Sequence, residues 1–248
     1  MKYFIDTEFL EGNQDKRFLG IKYGETKPTI DLISIGIVCE DGREYYAISK
    51  DFNLKEAWNR YDIIKGDSTM VKSIGDNQYK IKNYWIRENV LLPIYRQYVS
   101  GDARNHIPFT YSGMKYVLDT YGKTNKQIAE EIKQFVGTKE TIENWEEIKD
   151  KMNTQFYGYY SDYDWVVFCW LFGRMINLPK GFPMYCIDLQ QESDRIYNIK
   201  KEEYTKGGGR NFISKMSNHL DYPRQTNEHN ALSDARWNYE LYKFLQQL

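Results

Sequence analysis

The sequence of 248 residues predicts a single mixed α/β domain. Two observations carry that prediction. Strand-like apolar runs crowd the first fifty residues, and helical patterns alternate with short strand-like runs through the remainder. A third observation, 22 Tyr, 12 Phe and 6 Trp making 16% of the chain, supplies core material and excludes a disordered chain.

The elements follow in order. Strands are predicted over Lys2–Thr7, Ile30–Glu40 and Arg43–Ser49. In the second, Ile33, Ile35 and Ile37 share one face while Leu32, Ser34, Gly36 and Val38 share the other. Such a strand is buried on both sides. Asp41-Gly42 is the hairpin turn into the third strand. Between the first two, Glu11–Thr29 is polar and glycine-bearing and fits an extended loop or an extra ribbon. Leu54–Arg60 starts a helix, Gly66–Lys80 reads as a surface insertion, and Tyr84–Tyr98 keeps helical spacing despite Pro93. Lys123–Val136 is a clearer amphipathic helix. Gln155–Tyr160 is a strand, Asp162–Phe172 a helix, and Pro183–Ile196 another strand-to-helix passage. Lys206–Arg210 is a glycine loop, Asn211–Leu220 a short helix and Ala231–Leu248 the closing helix.

Composition excludes several classes. Lys plus Arg total 34 and Asp plus Glu 35, so the chain cannot hold nucleic acid by bulk positive charge. A local patch is still allowed: Arg195–Arg224 has seven basic and three acidic residues, and Asn125–Asp150 seven acidic and four basic. Two solvated faces and a substrate-facing patch explain these blocks equally well. The longest apolar run, Trp165–Phe172, is too short to span a membrane. Asp6 and Glu8 interrupt the first apolar run, which is therefore no secretory signal. Cys39, Cys169 and Cys186 form no CxxC pair, so three buried thiols in a reducing cytoplasm are expected.

The placement of four acids is more informative. Asp6 and Glu8 are two apart on a strand and project from one face. Two such carboxylates repel, and one stays protonated unless a cation sits between them. In the helix beginning near Asp162, Asp164 heads a stripe completed by Val167, Phe168 and Leu171. A carboxylate in a first helical turn is also favoured by the helix dipole, a role Asp162 already fills. On the last helix Asp234 heads a stripe of Asn238, Leu241, Leu245 and Leu248, with Ala231 and Ala235 allowing close approach beneath it. Burying ionised acids without a partner costs several kcal/mol each. Arg236, the nearest cation in sequence, points to another face; Lys or Arg partners from elsewhere in the fold are one answer, and a divalent cation with all-oxygen ligation, Mg²⁺ or Mn²⁺, resolves all four at once. His229 lies five residues before Asp234; if the helix begins near Asn230, the imidazole can turn toward the acids and accept a proton. A surface histidine beside a helix cap is the competing reading.

Three segments together resemble the motifs of the DEDDh 3′→5′ exonucleases: Phe4-Ile5-Asp6-Thr7-Glu8-Phe9, Tyr160-Ser161-Asp162-Tyr163-Asp164 and His229-Asn230-Ala231-Leu232-Ser233-Asp234-Ala235. Within that superfamily the chain most resembles the RNase AS group of polyadenylate-specific exoribonucleases, helped by Leu32–Gly36, Trp85-Ile86-Arg87 and Met184-Tyr185. Glu11–Thr29, Tyr61–Ile81 and Gly101–Tyr121 look like insertions. Many relatives have Asn four residues before the second-motif aspartate, where this chain has Tyr160. Asp162 is the rival to Asp164 in that motif.

The resemblance implies an RNase H-like fold, a mixed five-stranded sheet with three antiparallel strands first and helices on both sides. It also implies two divalent cations held by Asp6, Glu8, Asp164 and Asp234, with His229 as general base for hydrolysis of the terminal 3′ phosphodiester. Nucleoside 5′-monophosphates are the expected product, single-stranded RNA 3′ ends the expected substrate, and a homodimer the expected assembly. Phe9 is a candidate for stacking on terminal bases, with core packing its alternative. Lys206 and Arg210 are candidates for backbone contacts; Lys206–Arg210 lacks the ending of a P-loop. A DNA exonuclease of proofreading or repair type and a catalytically silent nucleic-acid-binding module are the competing functions.

Overall fold

The computed structural model of the chain describes residues 1–65, 80–99, 107–137, 154–209 and 212–248. Its elements in order are strands β1 (Lys2–Gly12), β2 (Asp15–Phe18), β3 (Ile21–Glu25), β4 (Thr29–Cys39) and β5 (Glu44–Ile48), then helix α1 (Leu54–Asn59). Strands β6 (Asp62–Lys65) and β7 (Lys80–Asn83) precede a π-helical turn (Arg87–Leu91) and helices α2 (Leu92–Val99), α3 (Tyr111–Tyr121) and α4 (Asn125–Val136). The rest is β8 (Gln155–Gly158), α5 (Asp162–Leu171), β9 (Ile187–Asp188), α6 (Leu189–Lys206) and α7 (Ala231–Leu245). Contacts group the chain into two compact units: residues 1–9, 30–51 and 122–248, and residues 10–29 and 52–121.

The first unit is built on a five-stranded sheet of order β5-β4-β1-β8-β9. β4 and β5 run antiparallel, with Ile35 opposite Ala47. Glu40, just past the end of β4, bonds back to Lys2 at the start of β1, the antiparallel arrangement. β8 and β9 then add in parallel, Tyr3 opposite Phe156 and Tyr157 opposite Ile187. Three antiparallel strands followed by parallel ones, flanked by helices, is the expected RNase H-like arrangement.

Alternation along β1 divides the core in two. Tyr3 and Ile5 pack with Ile128 and Ile132 of α4 and with Trp165 and Phe168 of α5. Phe4 faces the other way, onto Leu189 of α6 and Ala235, Leu241 and Leu245 of α7. Period-two side chains between two helix layers explain why neither face of the sheet is polar. Asn238, fully inside, donates Nδ2–H to the Ile5 carbonyl at 2.8 Å and ties α7 to β1. Gly36 of β4 lies directly under the start of α7, and a Cβ there would collide with the Ala231 backbone.

Several boundaries differ from expectation. β1 runs to Gly12 rather than stopping at Thr7, so Asp6 and Glu8 lie inside the strand. Glu11–Thr29 forms a ribbon, β2 paired antiparallel with β3. The helix around Pro93 survives through its π turn: the residue without an N–H, whose ring would strike the carbonyl four residues back, follows the widened segment. α4 starts at Asn125 because Thr124 and Gln127 form a capping box. α6 is longer than expected and absorbs Lys206. Met216–Asn218 of the expected Asn211–Leu220 helix makes a single 3₁₀ turn. The Tyr197 hydroxyl reaches the Ile213 and Ser214 carbonyls just before that turn and ties the segment to α6. Cys39 and Cys169 are buried, whereas Cys186 is half-buried rather than fully enclosed.

The second unit carries the β2–β3 ribbon, α1, the β6–β7 hairpin, α2 and α3. Its helices meet around rings: Phe109 packs on Trp58 at 4.9 Å and on Tyr95 at 5.1 Å between centroids. Residues 66–79, most of the expected surface insertion, and residues 100–106 lie outside the described residues. No helix among the described residues is long and apolar enough to cross a membrane.

Candidate active site

The candidate acids gather around the middle of β1, between the two helix layers. Asp6 and Glu8 share the face of β1 that sees α7, and Asp234 comes from the first turn of that helix. Oxygens of Asp6, Glu8 and Asp234 all lie within 4.8 Å of one another. Thr7, on the opposite face by alternation, meets Asp164 from α5. Asp164 Oδ1 accepts the Thr7 backbone N–H at 2.8 Å and its hydroxyl at 2.6 Å. Strand parity thus brings one acid from each helix layer to a pair on the strand between them.

Local structure explains each placement. α7 begins after Asn230, whose side chain accepts the Ser233 N–H, the start that His229 needs in order to sit on the entering segment. Asp234, Asn238, Leu241 and Leu245 are all buried along that stripe. In α5, Asp164 is buried with Val167 and Phe168, while Asp162 is exposed, which separates the two rival aspartates. Asp188 caps α6 through the Gln191 N–H and also accepts the Ser161 N–H at 2.8 Å, joining that cap to the start of α5.

Electrostatics at the four acids run one way. Burial, then the charges of Asp164, Glu8 and Asp234, hold the Asp6 carboxyl well above its ordinary range. Glu8 is pushed up to about 8 by burial and by Asp234 and Asp164. Burial raises Asp164 to about 6, against the hydrogen bonds from Thr7 that favour its ionised form. Asp234 is raised by burial and held back by Gln225 Nε2, 2.6 Å from Oδ1, and the His229 N–H, 2.9 Å from Oδ2. No lysine or arginine among the described residues acts on Asp6 or Glu8. Like charges in a shared low-dielectric site cannot all ionise without a counter-charge.

This donor set fits a hard divalent cation. It is all oxygen, and two ligands on opposite sides of one Mg²⁺ lie about 4 Å apart, near the spacing of the cluster. His229 sits on the segment entering α7, half-buried, in the left-handed region with φ 66°. That backbone turn aims its N–H at Asp234 and brings the imidazole close enough to lower that acid's pKa.

The other candidates fall elsewhere. Phe9 is half-buried against the α4–α5 core and meets Tyr163, itself half exposed, edge-on at 5.8 Å. Lys206 ends the 18-residue α6, about 27 Å along its axis from the cap at Asp188. It pairs loosely with Glu202 at 3.4 Å, and Arg195 pairs closely with Glu192 at 2.6 Å, so part of the basic block is neutralised along its own helix. Arg210 lies outside the described residues. Thr7, Gln225 and Asp188 escaped the sequence reading. Only Thr7 carried a signal, as the polar residue between two acids on an apolar strand.

No protein-family model matches the chain. Two proteins named 3′-5′ exoribonuclease, from Mycobacterium tuberculosis strains CDC 1551 and H37Rv, are each 27% identical to it over 194 residues. The match covers 77% of this chain and 73% of each relative, so the similarity to proteins named as exoribonucleases runs through the greater part of its length.

Proposed function

We propose that the chain is a 3′→5′ exoribonuclease that removes nucleoside 5′-monophosphates from single-stranded RNA ends. The observation that carries this reading is the convergence of Asp6, Glu8 and Asp234, with Asp164 beside them, at one point where no described lysine or arginine offsets their charge. Two divalent cations of the Mg²⁺ class, when bound, supply Lewis-acid polarisation of the scissile phosphate and offset charge on the leaving oxygen. Asp6, Glu8, Asp164 and Asp234 are the residues that would hold them.

The remaining work falls to the chain itself. His229 takes the proton of the attacking water at an imidazole nitrogen, and its N–H bond to Asp234 fixes where that ring stands. A water oxygen bonds to phosphorus, the P–O3′ bond breaks, and the 3′ oxygen takes a proton from solvent water and leaves as a hydroxyl. Thr7 keeps Asp164 oriented and more acidic than its burial alone would allow. Phe9, next to Glu8 in sequence, and Tyr163, next to Asp164, offer an edge and a face to a terminal base. A phosphate contact at Lys206 would belong to nucleotides upstream of the scissile bond. By resemblance, adenine-rich ends are the preferred substrate.

Matched RNA and DNA oligomers, labelled at either end and incubated with Mg²⁺, test the reading. The expected result is a ladder of 5′-labelled RNA shortening one nucleotide at a time, with labelled monophosphate released from the 3′ end. Internal fragments preceding monomers, or preferential trimming of DNA, would overturn it.

A further inference from the structure

The second unit contains a groove of about 950 Å³ between the β2–β3 ribbon, α1 and the β6–β7 hairpin. Five cationic side chains line it, Arg17, Lys22, Lys55, Arg60 and Lys82, against the two acids Asp15 and Glu56. The chain as a whole carries a net charge of −1, so a local excess of three positive charges is not background. It arises from residues scattered between positions 15 and 82, which no contiguous window of sequence brings together.

The ion pairs sort the five cations into two kinds. Asp15 is shared by Arg17 at 2.6 Å and Lys22 at 2.7 Å, and Lys22 also meets Glu25. Arg60 is taken by Glu56 and by the carbonyls of Glu11 and Asn13. These three fasten the wall of the groove. Lys55 and Lys82 have no carboxylate partner among the described residues. Lys82 instead stands 4.2 Å over the ring of Tyr61, a contact that positions the ammonium without cancelling its charge.

Two tyrosines also line the groove, with Asn53 and Asn59. Tyr61 and Tyr84 flank the pair Asp62 and Asn83 that ends the β6–β7 register, and their rings approach to 5.6 Å. The Arg87 guanidinium lies 3.7 Å over Tyr84 and holds that ring in place. Tyr61 is 42% exposed, a large aromatic left in solvent at the rim of a basic groove. Unpaired ammonium groups beside presented rings are what a single-stranded polynucleotide needs, charge for phosphates and π faces for unstacked bases.

We propose that this groove is a second binding site, for single-stranded nucleic acid, with phosphates on Lys55 and Lys82 and bases against Tyr61 and Tyr84. The choice of RNA as its occupant rests on the exoribonuclease reading; the groove's chemistry does not.

The test is binding of a 5′-fluorescein single-stranded RNA 20-mer to the full chain in EDTA, by anisotropy, with the RNA recovered intact on a gel. Lys55→Glu/Lys82→Glu is expected to weaken binding at least tenfold at fixed salt. In Lys55→Ala/Lys82→Ala the slope of log affinity against log salt should flatten by about 1.4, the share of two single-strand phosphate contacts. Tyr61→Ala should weaken binding about tenfold, as loss of one stacked base does. Circular dichroism melts confirm that each variant is folded. Affinities within twofold of wild type with an unchanged salt slope would overturn the proposal. So would an oligoglutamate peptide that displaces the RNA at equal charge concentration, since an acidic peptide would then be the occupant. The two readings fail separately: loss of binding in the variants without any RNA hydrolysis by wild type and Mg²⁺ removes the exoribonuclease and keeps the groove, while hydrolysis with unaltered binding does the reverse.

Discussion

Asp234 and Arg236 stand two residues apart on α7 and meet opposite electrostatic surroundings. Arg236 turns to the surface and takes Glu44 of β5 with two bonds, Nε at 2.7 Å and Nη2 at 2.6 Å. The guanidinium holds Glu44 below the ordinary glutamate range, and Arg195 does the same for Glu192 on α6. Asp234 turns inward to Asp6 and Glu8, where burial and like charge hold carboxyls above that range. One chain therefore keeps two populations of acid, one satisfied by its own cations and one that no described lysine or arginine offsets. The difference lies in which face of an element an acid occupies, since the residue types are the same.

The two populations respond oppositely to pH. An acid held below its unfolded pKa contributes stability above that value and loses it as pH falls. An acid held above its unfolded pKa binds its proton more tightly in the fold. Its penalty is absent at low pH and grows as pH rises through the folded value, about 6 for Asp164 and about 8 for Glu8.

The largest expected effect comes from breaking the inner set. Asp6→Asn should lower kcat/KM for RNA hydrolysis by about 1,000-fold while raising the melting temperature of the metal-free protein. A metal-free melting temperature that falls would contradict the repulsion assigned to this site. Next comes the cation itself. In EDTA the melting temperature should decline from pH 5 to pH 9, and 10 mM MgCl₂ should raise it by about 4 °C or more at pH 8 and far less at pH 5. A Mg²⁺ effect equal at both pH values would show that these acids are not where the ion binds. A smaller effect is expected from Thr7→Val, about tenfold in kcat, with the acidic limb of the rate profile moved to higher pH. Thr7→Ser should restore both; failure to do so would assign the loss to packing. Least of all, Glu44→Gln should cost at most about 1 kcal/mol at pH 7 and leave hydrolysis unchanged, a difference that urea titration should find vanishing as pH falls below the carboxylate range.

Much of this was legible in the sequence, because periodicity encodes faces. Strand parity puts Asp6 beside Glu8, and helical stripes put Asp164 and Asp234 against the core, without any knowledge of what each element packs on. The start of α7 at Asn230 was readable for the same reason, and with it the place of His229. Tertiary contacts were not readable. Thr7 holds Asp164 across 157 residues of sequence, and the tyrosine hydroxyl that meets the Ile213 carbonyl comes from another element. Lys206 looked like part of a flexible loop because glycines follow it, yet the 18-residue helix before it carries it away from the acids. The basic groove in the second unit was invisible because its cations are adjacent only after folding.

Gly36 carries a last consequence. Where its Cβ would stand, the backbone of Ala231 already does, so the seat of α7 is machined to the thickness of a single missing methyl group. Asp234 rides on the first turn of that helix, and under the proposed metal site its ligand distance has to fall within about 0.2 Å of the ideal value. Gly36→Ala would act as a shim inserted under one jaw of a clamp. The jaw would still be there, its surface unaltered, but the gap would no longer match the part it grips.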